Sequence, residues 1–432
     1  MFYKVFSISL IFVMLFSCTL IQDRQLDFIK VENGSLTLNS KNYKFVGTNL
    51  WYGAYLGQPG LKGDRQRLIN ELDLLIENGI TNLRVMGASE ESPFKNSLKP
   101  TFIYKDEKFD QNLLIGMDFL LSEMKKRGMY AVIFLNNFWE WSGGMSAINS
   151  WSDKQPPIDP VNGDWDAFIQ YSSKFYQNKK AQDISRQYIS ELVTRINSIT
   201  GESYINDPTI MSWQLANEPR PGRGKISTME IQAYYNWIYE TAKYIKSLDP
   251  NHLVSTGSEG VVGSLNSTEI YKNAHISDFI DYLTFHMWAK NWNWIDPNNM
   301  NKTYQATVDS ANNYILTHVK IAYSMNKPIV IEEFGFPRDN EMLNPASAVT
   351  YRDMYFKLIF SAVELHNILS GSNFWSWGGF GSAQRADYWW EYGDPFTGDP
   401  PQEPQGLNSV FVSDETTLEI IKDHAKRIGA LE

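Results

Sequence analysis

Ile210–Arg220 reads IMSWQLANEPR. Its first half is an apolar run of strand type. The run turns polar at Asn217 and delivers Glu218 at its carboxyl end, with Pro219 directly behind. Barrel enzymes place their chemistry at the carboxyl ends of strands, so a buried strand ending on Asn-Glu is a candidate catalytic strand. Pro219 has no N–H for a sheet ladder and disfavours helical backbone in the residue before it. Glu218 is therefore expected to be extended where the strand stops. Taken alone, the motif also fits a structural carboxylate capping a neighbouring helix. A second carboxylate is needed to decide.

Strand-type and helix-type segments alternate on both sides of this stretch. Strands are predicted at Phe45–Tyr52, Asn82–Gly87, Tyr130–Asn137, Ile210–Glu218, Leu253–Gly257, Ile280–Trp288, Pro328–Gly335 and Ser372–Trp377. Helical periodicity predicts helices at Asp64–Gly79, Leu113–Lys126, Lys180–Ile199, Thr228–Ser247, Tyr304–Met325, Ala346–His366 and Thr416–Ile428. Eight strands alternating with helices predict a (β/α)8 barrel, filling one domain over residues 28–432. FIKVENGSLTLNSKNYKFVG reads as a β-hairpin turning at Asn33-Gly34, placed to cap the bottom of the barrel. No Gly-rich phosphate fingerprint follows the first strand, which argues against a dinucleotide-binding sheet.

Residues 1–17 have the form of a signal peptide, with Lys4 ahead of the apolar core FSISLIFVMLF. That core is too short for a comfortable membrane span. Cys18, the only cysteine, follows Leu15-Phe16-Ser17. This resembles the lipobox of bacterial lipoproteins, and implies a lipidated Cys18, a short tether over 18–27 and an exported chain anchored to a bacterial membrane. An ordinary secretory signal is the alternative. The net charge of −10 offers no basic surface for nucleic acid. The six His show no HExxH-type spacing, so neither metal nor cofactor is expected. A monomer is expected.

The second carboxylate lies in KPIVIEEFGFPRD, residues 327–339. Along a pleated strand Glu332 and Glu333 are expected to point to opposite sides, one to the barrel mouth and one to surrounding helices or water. Glu218 and Glu333 then share a crevice at the strand ends. Two carboxyl groups flanking one bond are what glycoside hydrolysis needs. One is protonated to assist the leaving oxygen, with its pKa raised to about 6, and the other stays ionised.

At this point the residues resemble a known family. LANEP and IEEFG resemble the acid/base and nucleophile strands of glycoside hydrolase family 5, in clan A. FVGTNLWY, FLNNFWEWSGGM, LANEPRPG and FHMWAKNWNW resemble its bacterial endo-β-1,4-mannanase branch. The resemblance covers the chain from about Phe28 to the last helix. It implies Glu218 as general acid/base and Glu333 as nucleophile. It implies that Arg84 keeps Glu333 ionised, that Asn217 binds the substrate 2-hydroxyl, and that His286 lines the −1 subsite. Trp375 would form the sugar platform there, and Trp51 and Asn137 join the substrate-binding set. The sequence departs from the family at Trp288, where a tyrosine bound to the nucleophile is usual. An indole N–H donates but cannot accept or ionise. Trp288 is thus expected either to steady Glu333 or to serve as a sugar-stacking wall.

Many of the 14 Trp fall in segments after strands, among them Trp292, Trp294, Trp389 and Trp390 in polar loops. Aromatic planes pack on the C–H faces of pyranose rings, and the acidic charge suits a neutral polymer better than a polyanion. The expectation is a mannan endo-1,4-β-mannosidase working by retaining double displacement on mannan, galactomannan or glucomannan. Exo-acting β-mannosidase or mannobiosidase, β-1,4-glucanase, and a glycan-binding lipoprotein on an inactive barrel are the alternatives. The loops at 289–303 and 378–410 could wall off one end of the cleft.

Overall fold

A computed structural model describes residues 26–431. The signal segment, Cys18 and the first part of the tether lie outside the described residues. Three short antiparallel strands open the fold: β1 (Lys30–Glu32), β2 (Ser35–Leu38) and β3 (Lys41–Asn42). The expected hairpin is therefore a three-stranded meander. Its turns put Asn33, Gly34, Asn39 and Ser40 at positive φ, the backbone that tight two-residue hairpin turns require. Ile29 and Leu36 pack beneath the barrel against Phe45, Tyr130, Val132, Met211, Leu253, Tyr282 and Val330. The meander thus closes the end of the barrel opposite the candidate site.

Eight parallel strands make a sheet that is nearly closed into a barrel. They are β4 (Phe45–Asn49), β5 (Ile80–Met86), β6 (Tyr130–Phe134), β7 (Ile210–Gln214), β8 (Leu253–Ser255), β9 (Leu283–Trp288), β10 (Ile329–Gly335) and β11 (Leu369–Phe374). Each is followed by a helix: α1 (Arg65–Glu77), α2 (Gln111–Lys126), α3 (Lys179–Val193), α4 (Thr228–Leu248), α5 (Thr268–Ala274), α6 (Met300–Met325), α7 (Thr350–Leu365) and α8 (Glu415–Arg427). The helix starts are written locally. Asp64, Asp110, Asn178, Ser227 and Ser267 each accept a hydrogen bond from a backbone N–H of the first turn, and Ser227 with Glu230 completes a capping box.

The barrel expectation holds, with local differences. The short α5 was not expected. The last barrel strand begins at Leu369, three residues before the predicted start, and ends at Phe374. The long segment after β6 carries two additional helices, Gly144–Asp153 and Trp165–Ser173. The segment after β11 is pinned at its ends by a parallel pair, β12 (Trp377–Gly379) with β13 (Val410–Phe411). Inside it, Asp399 accepts from the Gly406 and Asn408 amides, at 2.8 and 2.9 Å. Buried Arg352 binds the Leu407 and Ser409 carbonyls, and buried Arg338 pairs bidentately with Asp414 at 2.8 and 2.7 Å. These contacts fix a long irregular loop over the barrel mouth.

Candidate active site

β7 ends at Gln214, but the chain runs on in strand-like pairing to Glu218. Asn217 bridges to Asn137, and the Glu218 amide donates to the Gly257 carbonyl at 2.9 Å. Gly257 has φ +74°, and a Cβ there would stand 2.0 Å from the Ala216 carbonyl oxygen, so the two strand ends approach as only glycine permits. Glu218 itself has φ +50°. The extended backbone expected ahead of Pro219 is not what forms. The left-handed conformation turns the carboxylate across the barrel mouth and costs of order 1–3 kcal/mol, so the surrounding contacts must hold it.

The second correction concerns Glu332 and Glu333. Alternation predicts opposite faces, yet both side chains are buried beside Arg84, with Glu332 Oε2 3.9 Å from Arg84 Nε and Glu333 ion-paired to the Arg84 Nη1. The register of β10 on β9 shifts between Ile331 and Glu333, so one residue is extra on β10. A bulge of this kind resets the alternation and re-aims the following side chain.

Arg84 lies at the centre of the site and is fully buried. Besides Glu333 it donates to Gln214 Oε1 at 2.8 Å, Asn49 Oδ1 at 3.1 Å and Asn217 Oδ1 at 2.8 Å. His286 Nδ1 lies 2.6 Å from Glu218 Oε1 and 3.1 Å from Glu333 Oε2. One carboxylate oxygen from each glutamate and a ring nitrogen of His286 fall within 4.8 Å of one another. Glu218 Oε2 accepts from Trp139 Nε1 at 2.5 Å, and Oε1 also accepts from Trp288 Nε1 at 3.2 Å.

The charges follow from this wiring. Burial works against ionised Glu218, but the His286 hydrogen bond and charge, with Arg220 and the Trp139 N–H, outweigh it and hold the carboxyl at about 2. Burial likewise works against cationic His286, but the Glu333 charge and the hydrogen bonds to both carboxylates push it up to about 9. The raised pKa expected for Glu218 is thus not what the structure gives, and the proton of the trio rests on His286. Burial raises Glu332. It also lifts Glu259 and Glu140, each to about 7, and Glu403 to about 8.

These groups face a cavity of about 490 Å³. Asn217, Glu218, Glu333, Trp288 and Trp375 line it. The Trp375 ring meets Trp288 and Trp141 edge-on, with centroids 5.8 and 6.4 Å apart. Trp288 addresses Glu218 and not Glu333, so the expectation that it steadies the nucleophile position is corrected: its indole reaches the other carboxylate. Trp51 does not reach the cavity. It is fully buried behind Trp141, with its Nε1 on the Gly398 carbonyl at 2.6 Å, because the loop after β11 covers it. Asn137 also sits behind the wall, accepting from Asn217 Nδ2 at 3.1 Å and donating to Ser142 Oγ at 3.0 Å. Sequence reading counted Trp139 among the loop aromatics of the cleft but missed its bond to Glu218, and it missed Arg220, Glu259, Gln402 and Glu403 as cavity residues. Trp139 had a signal, its place in the FWEW segment after β6. The others had none, since loop conformation alone brings them in.

The profile of the glycoside hydrolase family 5 β-mannosidase-like family matches residues 26–432. The chain belongs to that family. The hydrolase is similar to mannan endo-1,4-β-mannosidase 5 of Solanum lycopersicum, 27% identical over 363 residues, which cover 81% of this chain and 80% of that one. It is similar in structure to the glycoside hydrolase family 5 mannosidase of Rhizomucor miehei, with TM-score 0.83 and 32% identity over 93% of this chain and 97% of that one. It shares its fold with the endo-1,4-β-mannanase of the same fungus, with TM-score 0.67 and 22% identity over 93% of this chain and 99% of that one. The family resemblance read from the sequence holds, and a bacterial endo-β-1,4-mannanase, that of Thermotoga petrophila, also shares the fold.

Proposed function

We propose that this hydrolase cleaves β-1,4-mannosidic bonds with retention of configuration, using Glu333 as nucleophile and Glu218 as acid/base. The observation that carries the reading is the placement of the two carboxylates. They lie within 4.8 Å of each other through the nearest oxygens, across one cavity. Retaining glycosidases hold their carboxyl groups about 5–5.5 Å apart, and inverting ones leave room for a water. Arg84 donates a charge-assisted hydrogen bond to Glu333.

In the first step a Glu333 oxygen forms a bond to the anomeric carbon as the bond to the leaving oxygen breaks. That oxygen takes a proton from Glu218. The proton reaches Glu218 from His286 over their 2.6 Å contact once the sugar has displaced water. In the second step Glu218 accepts a proton from water, whose oxygen attacks the anomeric carbon and releases Glu333. Asn217, anchored by Arg84, meets the 2-hydroxyl, and Trp375 underlies the ring.

Substrate class rests on the family and on the names of its relatives. Cleavage mode has two readings. Internal cleavage of mannan, the expectation from sequence, is supported by the plant relatives' names. Release of sugar from the non-reducing end is supported by the cavity walls. Pro400, Gln402 and Glu403 from the loop after β11, and Asn291 and Trp292 from the loop after β9, enclose the cavity. Glu403 and Glu333 both line this cavity. The Rhizomucor miehei mannosidase was solved with mannosyl-fructose, a disaccharide-sized ligand. We favour exo action on manno-oligosaccharides. Mannopentaose labelled at its reducing end tests it. A single first labelled product is expected, mannotetraose if mannose is released or mannotriose if mannobiose is released, and an early mixture of labelled mannotriose, mannobiose and mannose would establish internal cleavage. No hydrolysis of any β-mannoside would overturn the whole reading.

Export and lipidation of Cys18 stay part of the proposal. Radiolabelled palmitate should enter the parent chain and not Cys18→Ser, and equal labelling would exclude this anchor.

A further inference from the structure

The mechanism above leaves the carboxylate of Glu332 unused. Glu332 is buried beside Arg84, carried to that side by the β10 bulge. Its Oε1 accepts from Gln214 Nε2 and, at 3.3 Å, from the Tyr282 hydroxyl. Its backbone carbonyl accepts from Asn49 Nδ2 at 2.9 Å. Gln214 Oε1 accepts from Arg84 Nε at 2.8 Å, and Asn49 Oδ1 accepts from Arg84 Nη1 at 3.1 Å. Two side chains that fix the arginine are thus themselves fixed by Glu332.

The direction of these bonds matters. A Gln side chain can present either its oxygen or its NH2 to a neighbour. Arg84 only donates, so Gln214 must turn its oxygen to Arg84 Nε and its NH2 the other way. An acceptor at the position of Glu332 Oε1 enforces that orientation. An apolar residue there would leave the Gln214 NH2 with Ser255 Oγ alone, at 2.9 Å, and a serine hydroxyl can face either end of an amide, so the orientation would no longer be enforced. Glu332 Oε2 has no hydrogen-bond partner and stands 3.9 Å from Arg84 Nε, too far for a bond. Its hydrogen bonding therefore runs through Oε1 and Gln214, and with Arg84 it makes only a long ion pair.

We propose that Glu332 is a positioning residue that, through Gln214, orients Arg84 so that one Nη meets the nucleophile Glu333 and the other holds Asn217. This rests on the proposed roles of Glu333 and Asn217. It predicts that the hydrogen-bond acceptor at position 332 matters more than its charge. Glu332→Gln keeps an oxygen for Gln214 and Tyr282, and Glu332→Leu removes it at similar volume.

The test measures kcat and KM on 4-nitrophenyl β-mannoside, together with the rate at which 2-deoxy-2-fluoro-β-mannosyl fluoride traps the enzyme. The trapping rate reads the nucleophile directly. Glu332→Leu should lower kcat and the trapping rate about tenfold to a hundredfold with KM changed less than about threefold, and Glu332→Gln should recover most of the loss. A Glu332→Leu enzyme with parental kcat overturns the proposal. So does a Glu332→Gln enzyme as impaired as Glu332→Leu, because charge and not orientation would then be the function. Should Glu332→Leu fail to fold, Gln214→Met breaks the same relay from the other side. It should show the same kcat loss, and parental kcat in folded Gln214→Met is equally fatal. If the parent prefers another β-glycoside, the same ratios are read on that substrate, so an error in sugar identity does not mask the relay.

Discussion

The Trp139 indole nitrogen stands 2.5 Å from Glu218 Oε2, closer than the Trp288 nitrogen stands to Oε1. The side chain that most closely steadies this carboxylate therefore comes from the loop after β6. Trp139 is stacked on Phe168 and lies under Arg220, whose guanidinium carbon is 4.8 Å from its ring centre. Trp139→Phe keeps the stacking and deletes the donor. A hydrogen bond to a charged group contributes about 1.5–3 kcal/mol, so kcat on an aryl β-mannoside should fall at least about tenfold with folding intact. Parental kcat would show that the bond has no part in catalysis.

Chemical rescue separates the two carboxylates. Glu218→Ala should lose activity on the order of 10²- to 10⁴-fold, the usual contribution of general acid–base catalysis. Azide should then restore turnover with formation of the β-glycosyl azide. Glu333→Ala with azide should yield the α-azide instead. NMR of the products reads the assignment, and exchanged stereochemistry would swap the two roles.

His286 gives stability a pH signature. Its folded pKa, about 9, lies above the ordinary 6.5, so the fold binds its proton more tightly than the unfolded chain does. The contribution is fully present below pH 6.5 and is lost as pH rises through 9. The shift corresponds to roughly 3 kcal/mol. Urea unfolding of the ligand-free enzyme from pH 6 to 10 should show a decline that is absent in His286→Asn. Parallel curves for the two proteins would refute the assignment of the proton to His286.

Asp414 serves two buried arginines, with Arg338 in bidentate contact and Arg352 at 3.4 Å. Removing one partner of such a cluster leaves buried charge unpaired and costs about 3–5 kcal/mol. Asp414→Ala should lower the midpoint of urea unfolding accordingly. Because Arg352 also holds the Leu407 and Ser409 carbonyls, protease nicking within 378–410 should rise as well. Unchanged unfolding and nicking would show that other contacts hold the loop.

The barrel was legible because its strands are nearly uniform apolar runs and most of its helices show apolar residues at helical spacing. Each of these is a local signal. The carboxylate pair was legible for the same reason, since Glu218 and Glu333 each end such a run. What escaped was non-local. The inward turn of Glu332 depends on a one-residue slip between β9 and β10, and nothing in IVIEEFG announces it. The backbone of Glu218 defied the rule for residues before proline because the Gly257 carbonyl and four side chains around the carboxylate outweigh a local preference. Trp51 was misplaced because Phe396 and Gly398, more than 300 positions away, come over it. Of the two readings left open for Trp288, steadying Glu333 came from a family tyrosine and fails, whereas a place in the cavity wall holds.

Glu218 sits in a backbone conformation that disfavours every residue with a Cβ, ahead of a proline that makes it worse. Heating or random mutagenesis followed by selection for persistence alone would draw position 218 toward glycine. Laboratory evolution of this enzyme for heat tolerance therefore has to screen for turnover in every round, because one of the easiest gains in robustness lies on the residue that performs the acid–base step.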